Sequence, residues 1–323
     1  MKAAIVKGPG SAPVYGDFDE PIPSGDAVRI AVSAAAISHV VKSRVSGAHY
    51  SAEGRFPFIA GIDGVGRLAN GRRVYFAAPR PPYGSMAEIA VASPALCIDL
   101  QEGLDDTTAA AIANPGMSSW AALTERAKLL RGETVLINGA TGTAGRLAVQ
   151  IARHLGAKKV IATGRNVAAL KSVAALGADV TIPLGEKPDA LEDAFKRQFA
   201  EGIDIVLDYL WGPSAECLLI AGAKAGREAV PIRFVQIGSS SATNINLPSA
   251  ALRSSAIVMM GSGIGSLSLD QLLRATSGVL HAAMPAQLKI EATSAPLSEV
   301  ERAWAKDDSA RRTVFTIGAR ASR

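Results

Sequence analysis

A chain of 323 residues exceeds the usual size of a single domain, so two domains are the natural expectation. Hydrophobic residues make up 48% of it, yet no segment reaches the roughly 18 uninterrupted apolar residues of a membrane span. The formal charge of +5 is spread along the chain without a basic run, and aromatics are sparse at 5%, so neither nucleic acid nor membrane is an expected partner.

The N-terminus, Met1-Lys-Ala-Ala-Ile-Val, reads as a strand and lacks the layout of a signal peptide. With only Cys97 and Cys217 available, there is no disulfide framework and no four-cysteine metal lobe, and a cytoplasmic protein is the economical reading. Up to about residue 120 the chain is rich in Gly, Pro and short β-branched runs. Ala27–Ser33, Val65–Leu68, Arg73–Phe76 and Ala87–Val91 read as strands of a mostly antiparallel β domain. The stretch 120–130 reads as helix. Strands expected at 134–138, 159–163, 180–182, 203–207, 233–237 and 256–260 then alternate with helices, which predicts βαβ units and a parallel sheet covered on both faces. Two last strands, 287–293 and 312–317, are expected to return to the first domain, giving an α/β protein with domains 1–120 plus 264–323, and 121–263.

The most informative segment is Glu133-Thr-Val-Leu-Ile-Asn-Gly-Ala-Thr-Gly-Thr-Ala-Gly145. A β-branched run stops at Asn138, glycines fall at 139, 142 and 145, and an amphipathic helix follows with Ala144, Leu147, Ala148, Ile151, Ala152 and Leu155 on one face. A strand, a tight glycine turn and a helix N-terminus let backbone N–H groups approach a pyrophosphate, and the helix dipole favours the anion. Gly139, Ala140, Thr141, Gly142, Thr143, Ala144 and Gly145 are therefore candidate dinucleotide-binding residues. The next strand ends in Gly164-Arg165-Asn166. Folds that prefer NADH usually place a carboxylate there for the ribose 2′-hydroxyl, about 20 residues past the turn. Arg165 can instead hold a 2′-phosphate in paired charge-assisted hydrogen bonds, which favours NADPH. Further loops at strand ends bring Asp208, Gly238 and Ser239 beside the cofactor, and Gly261 towards the nicotinamide end.

The order of Gly61-Ile-Asp-Gly-Val-Gly66, Gly71-Arg-Arg-Val74, Gly84-Ser-Met-Ala-Glu88, Asn114-Pro-Gly-Met-Ser-Ser-Trp-Ala-Ala-Leu123 and the glycine turn resembles the medium-chain dehydrogenase/reductase superfamily. The resemblance implies a GroES-like β domain beside a Rossmann domain, with the active site between them, and commonly a homodimer formed through the edge strand, here 256–260. Positions that bind catalytic zinc in zinc alcohol dehydrogenases of that superfamily carry Ser38, Ile62 and Asn114 here, a poor ligand set, so no metal is expected. The chain looks like the zinc-free branch, the quinone oxidoreductases and enoyl reductases. That branch implies a small-molecule quinone or enone as hydride acceptor. Tyr50 in Ser46-Gly-Ala-His-Tyr50 is the candidate proton donor, His49 holds the position that the commonest spacing predicts, and Ser38 is a candidate hydrogen-bond donor to substrate. The competing reading is a catalytically weak NADPH-binding regulatory protein on the same fold.

Overall fold

Gly- and Pro-punctuated β-branched runs produce β1 (Lys2–Val6), β2 (Val14–Asp17) and β3 (Val28–Ala36), then helix α1 (His39–Val45). Strands β4 (Phe58–Ile59), β5 (Asp63–Leu68), β6 (Arg73–Ala77), β7 (Ile89–Ala92) and β8 (Cys97–Asp99) follow, and then α2 (Asp106–Ala121). Strand and helix then alternate through β9 (Thr134–Asn138), α3 (Thr143–His154), β10 (Lys159–Gly164), α4 (Val167–Ala175), β11 (Val180–Pro183) and α5 (Pro188–Glu201). The chain closes with β12 (Ile205–Asp208), α6 (Pro213–Ala225), β13 (Ile232–Gln236), α7 (Ser249–Arg253), β14 (Ile257–Gly261), α8 (Leu269–Ala282), β15 (Ala292–Pro296), α9 (Val300–Lys306) and β16 (Arg312–Thr316). These elements come from a computed structural model that describes residues 1–47, 56–306 and 311–318.

The elements group into two compact units, Met1–Pro115 with Ile290–Arg323, and Gly116–Lys289. In the first unit, β15-β16-β3-β5-β6-β8 form one sheet with β7 added to β3, and β2-β1-β4 form a second. All pairings there are antiparallel except β15 with β16. Ile30, Ile37, Phe76, Met86 and Phe315 are fully buried in its core. The second unit holds a six-stranded parallel sheet in the order β11-β10-β9-β12-β13-β14. Strand order reverses at β9, so the carboxyl ends of β9 and β12 mark the crevice in which such sheets bind ligands. Leu136, Ile161, Val206 and Phe234 pack there against Phe195, Phe199 and Leu218 of the covering helices.

Helix α2 starts well before the expected 120–130 stretch. The Asp105 carboxylate accepts from the Thr108 backbone N–H at 2.8 Å and caps it, and the run Ala109–Ala113 carries it through Pro115. A π-helical turn, Ala122–Arg126, ends it. Likewise, the strand expected at 287–293 lies at Ala292–Pro296, because Gln287 takes a left-handed φ of 48° that a strand cannot contain. No helix among the described residues is long and apolar enough to cross a membrane.

Candidate functional site

The site of the second unit begins where β9 runs out. Both faces of β9 are covered, so Thr134 to Asn138 are all buried. The chain then turns at Gly139 with φ of 92°, a conformation that costs a side-chain-bearing residue energy. Gly139 and Ala140 N–H groups donate to the hydroxyl (3.2 Å) and carbonyl (2.8 Å) of Thr163 at the end of β10. The glycine turn is thereby tied to the neighbouring strand before any ligand arrives.

Beneath the turn lies a buried polar junction. The Thr163 hydroxyl donates to Asn138 Oδ1 at 2.7 Å, and Asn138 Nδ2 donates to Asp208 Oδ1 at 2.8 Å and to Ser214 Oγ at 2.9 Å. The register makes this possible, since Asp208 stands opposite Asn138 across the β12–β9 ladder. Asp208 also accepts from the backbone N–H groups of Leu210 (3.0 Å) and Trp211 (3.1 Å). Burial pushes its carboxyl above the usual range, and hydrogen bonds from Leu210, Asn138 and Trp211 oppose that. The carboxylate is therefore occupied in shaping the loop after β12.

Above the junction the turn opens. Gly142 precedes α3 with extended backbone and has no side chain to cap the helix, and among the described residues a Cβ built at Gly142 would meet no atom within 4 Å. Among the described residues, the space beside Gly142 at the N-terminus of this twelve-residue helix is open. A Cβ on Gly145 would lie 2.6 Å from the Cα of Ala140 and strike the Gly139 carbonyl, so this glycine lets helix and turn touch. A helix N-terminus that begins on a glycine, its positive dipole end and room beside Gly142 together fit a dinucleotide pyrophosphate.

At the end of β10, Gly164 has no Cβ to strike the Thr141 side chain. Asn166 caps α4, its Oδ1 accepting from Ala169 N at 3.0 Å. Arg165 between them is exposed, and among the described residues it has no ion-pair or hydrogen-bond partner. At the other end of the sheet, Ser239 and Gly261 lie on one hollow of about 560 Å³ with Trp211, Phe234, Gln236, Thr243, Met259 and Met260. The Gly261 carbonyl accepts from Arg126 Nε at 2.7 Å. Gly238 passes so close to the Tyr209 carbonyl that a Cβ would sit 2.9 Å from it. Tyr209 and Ser119 carry no functional signature in the sequence. The Tyr209 hydroxyl lies 2.8 Å from Ser119 Oγ, which in turn reaches the Ala144 carbonyl at 3.3 Å. Burial raises the Tyr209 phenol to about 12. Both residues stand in segments already marked by motif, but no spacing rule joins them.

In the first unit, Ser38 is buried and caps α1, its Oγ accepting from Val41 N at 3.1 Å. Ile62 packs partly against the core, and Asn114 lies on α2. Tyr50 and His49 fall outside the described residues. Among the described residues, no group of three or more His, Cys, Asp or Glu is assembled to hold a metal. Asp63, next to Ile62, is buried and accepts from the Tyr75 hydroxyl at 2.9 Å. Burial raises its carboxyl to about 6, against the opposing pull of Arg312 and Tyr75.

Residues 144–277 match the family model described as zinc-binding dehydrogenase, a stretch that contains none of the positions 38, 62 and 114. A probable NADPH-dependent quinone reductase, tdiC, of Emericella nidulans is 30% identical, over 96% of this chain and 98% of its own length. A 2-alkenal reductase (NADP(+)-dependent) of Nicotiana tabacum is 36% identical over 36% of this chain and 34% of its own. The quinone oxidoreductase of Thermus thermophilus, solved also in complex with NADPH, superposes with a TM-score of 0.79 at 25% identity, covering 98% of this chain and all of that one. The chain belongs to the quinone oxidoreductase family of the medium-chain dehydrogenase/reductase superfamily.

Proposed function

We propose that the protein is a zinc-independent, NADPH-dependent reductase of quinones or α,β-unsaturated carbonyls. The observation that carries the reading is the glycine turn at the start of α3, open beside Gly142, with the Arg165 guanidinium, unpaired among the described residues, where a carboxylate would select NADH. The relatives named for NADPH-dependent quinone and alkenal reduction support it. In this assignment Gly139 to Gly145 receive the pyrophosphate. Gly164, Arg165 and Asn166 receive the adenosine ribose and its 2′-phosphate, while Gly238, Ser239 and Gly261 border the nicotinamide. Asp208 holds these loops in place through Asn138 and the backbone N–H groups of Leu210 and Trp211.

When bound, NADPH supplies the hydride. The residues at the zinc positions, Ser38, Ile62 and Asn114, offer no Lewis acid, so the acceptor must disperse negative charge through its own conjugation. A quinone does so as the hydroquinone anion and an enone as the enolate, and one proton completes either product. Hydrogen-bond donors stabilise such an oxyanion without metal. Ser38 keeps a hydroxyl hydrogen while its oxygen caps α1, and Tyr50 is the proposed proton donor. A second copy of the chain is the proposed partner, paired along β14, whose Val258 is 47% exposed at the sheet edge.

The test is the fate of the hydride. With NADPH deuterated at C4, a cyclic enone should be recovered as the saturated ketone carrying deuterium at the β-carbon. Deuterium at the carbonyl carbon, in an allylic alcohol, would refute the assigned chemistry.

A further inference from the structure

Tyr209, the first residue after β12, is held through its backbone by two of the loops at the cofactor end of the sheet. Its N–H donates to the Asn138 carbonyl at 3.1 Å, directly ahead of the glycine turn. Its own carbonyl accepts from Ser240 N at 3.3 Å and from Ser240 Oγ at 3.0 Å. The Leu210 carbonyl accepts from Ser241 N at 2.8 Å, so three hydrogen bonds lay the loop after β13 along the loop after β12. Gly238 makes the approach possible, because a Cβ there would lie 2.9 Å from the Tyr209 carbonyl oxygen.

The side chain of Tyr209 reaches a different segment, Ser119 of α2, 90 residues back in the chain. Ser119 is fully buried, and its Oγ lies 2.8 Å from the phenol oxygen and 3.3 Å from the Ala144 carbonyl in the first turn of α3. A serine hydroxyl has one hydrogen. With that hydrogen on the Ala144 carbonyl, the phenol is the donor of the shorter bond. Burial pushes the phenol up to about 12 against the hydrogen bonds from Ser119 and Ser118, so it keeps its proton at any working pH. The outcome is a directed chain from Tyr209 through Ser119 to Ala144. It ends on the helix whose N-terminus is the candidate pyrophosphate site, and each bond in such a buried chain strengthens the next.

One residue thus joins the first turn of α3, through its phenol, to the loop carrying Gly238 and Ser239, through its carbonyl. A dinucleotide has to lie on both segments at once, so their spacing is what it must match. We propose that Tyr209 is a positioning residue for the dinucleotide, fixing the spacing between the first turn of α3 and the loop after β13 before the ligand arrives. Such preorganisation adds affinity by removing an ordering cost. The proposal rests on the cofactor assignment above and adds to it a residue that acts through Ser119, Ala144 and Ser240.

The test compares two ligands by calorimetric titration. NADPH spans both segments, whereas 2′,5′-ADP carries the adenosine and its phosphates without the nicotinamide and so reaches only the first. Tyr209→Phe keeps the ring and removes the hydroxyl. It should weaken NADPH by roughly 2- to 12-fold, the range for one neutral hydrogen bond, and change 2′,5′-ADP by less than about twofold. Ser119→Ala should do the same, and the double variant should be no weaker than either single one, because all three break one chain. Additive losses would mean that the two hydroxyls act apart, and would overturn the proposal. A merely structural role would lower Tm and weaken both ligands alike. That result, or wild-type NADPH affinity in Tyr209→Phe, would overturn the proposal too and leave the cofactor assignment standing. If the wild type binds neither ligand, the cofactor assignment fails and the proposal falls with it.

Discussion

Gly142→Ser separates the glycine turn as a scaffold from the turn as a phosphate cradle. Gly142 sits at the helix N-cap with φ of −79° and ψ of 169°, a conformation open to any residue, and a Cβ there meets nothing within 4 Å. Serine is moreover a favoured N-cap, a few tenths of a kcal/mol better than glycine. For a protein of this size that moves Tm by about 1 °C at most. Cofactor binding should respond in the opposite sense. The new hydroxymethyl group occupies the open space, and its oxygen accepts from the N–H groups that would face the pyrophosphate. Losing one charge-assisted hydrogen bond costs about 1.5–3 kcal/mol, or roughly 10- to 150-fold in Kd. Gly145→Ala is the contrasting variant. Its Cβ would lie 2.6 Å from the Ala140 Cα with backbone on both sides, an overlap that costs about 1–3 kcal/mol or more, so stability and binding should fall together. Circular dichroism melts and NADPH fluorescence titrations read both quantities. If Gly142→Ser binds NADPH as tightly as the wild type, the pyrophosphate does not lie over α3.

Arg165→Ala should weaken NADPH binding by roughly 10- to 150-fold and leave NADH nearly untouched, as read by paired titrations; equal losses for both cofactors would remove the 2′-phosphate assignment. Asp63 gives a pH dependence. Its carboxyl is raised to about 6 in the folded protein from an ordinary 3.8, so the folded state holds the proton more tightly. Its contribution is complete below about pH 4 and is lost as pH rises towards 6, by about 3 kcal/mol. Urea unfolding across that range should show this fall in the wild type and a flatter profile in Asp63→Asn; equal slopes would contradict it. Tyr50→Phe should slow enone reduction by about 10²- to 10⁴-fold while NADPH binding stays, and should affect quinones less, because solvent protonates oxygen anions readily. Wild-type enone rates in that variant would make Tyr50 structural.

Much of the parallel sheet was legible because a strand covered on both faces must be apolar throughout. The run Thr134 to Asn138 is β9 as expected, and β11 to β14 fall within two residues of their expected positions. Strands without that pattern were not legible. β15, Ala-Thr-Ser-Ala-Pro, is exposed at nearly every position, so the upstream segment containing Leu288 and Ile290 drew the assignment instead. The short β2 and β4 carry too few residues for any alternation to show. Helix α2 was obscured by Pro115, although the Asp105 cap and the alanine run after it were there to be read.

The site divides in the same way. Gly139, Gly142 and Gly145 could be placed from spacing alone, because a tight turn before a helix imposes a fixed local pattern. The junction of Asn138, Thr163, Asp208 and Ser214 depends on strand register, and the contact of Tyr209 with Ser119 on tertiary packing. Neither leaves a local signature. The position of Asp208 at a strand end can be read in the sequence, but its burial and its bonds to Leu210 and Trp211 can be read only in three dimensions.

The most direct measurement is NADPH oxidation by the purified protein, after treatment with a strong chelator, against acceptors matched in skeleton. The set comprises 2-methyl-1,4-naphthoquinone, cyclohexenone and saturated cyclohexanone, with cyclohexanol and NADP+ for the reverse direction. The account predicts turnover with the quinone or the enone, undiminished by the chelator, and none with the saturated ketone or the alcohol. Reaction confined to cyclohexanone and cyclohexanol, and abolished by the chelator, would contradict it.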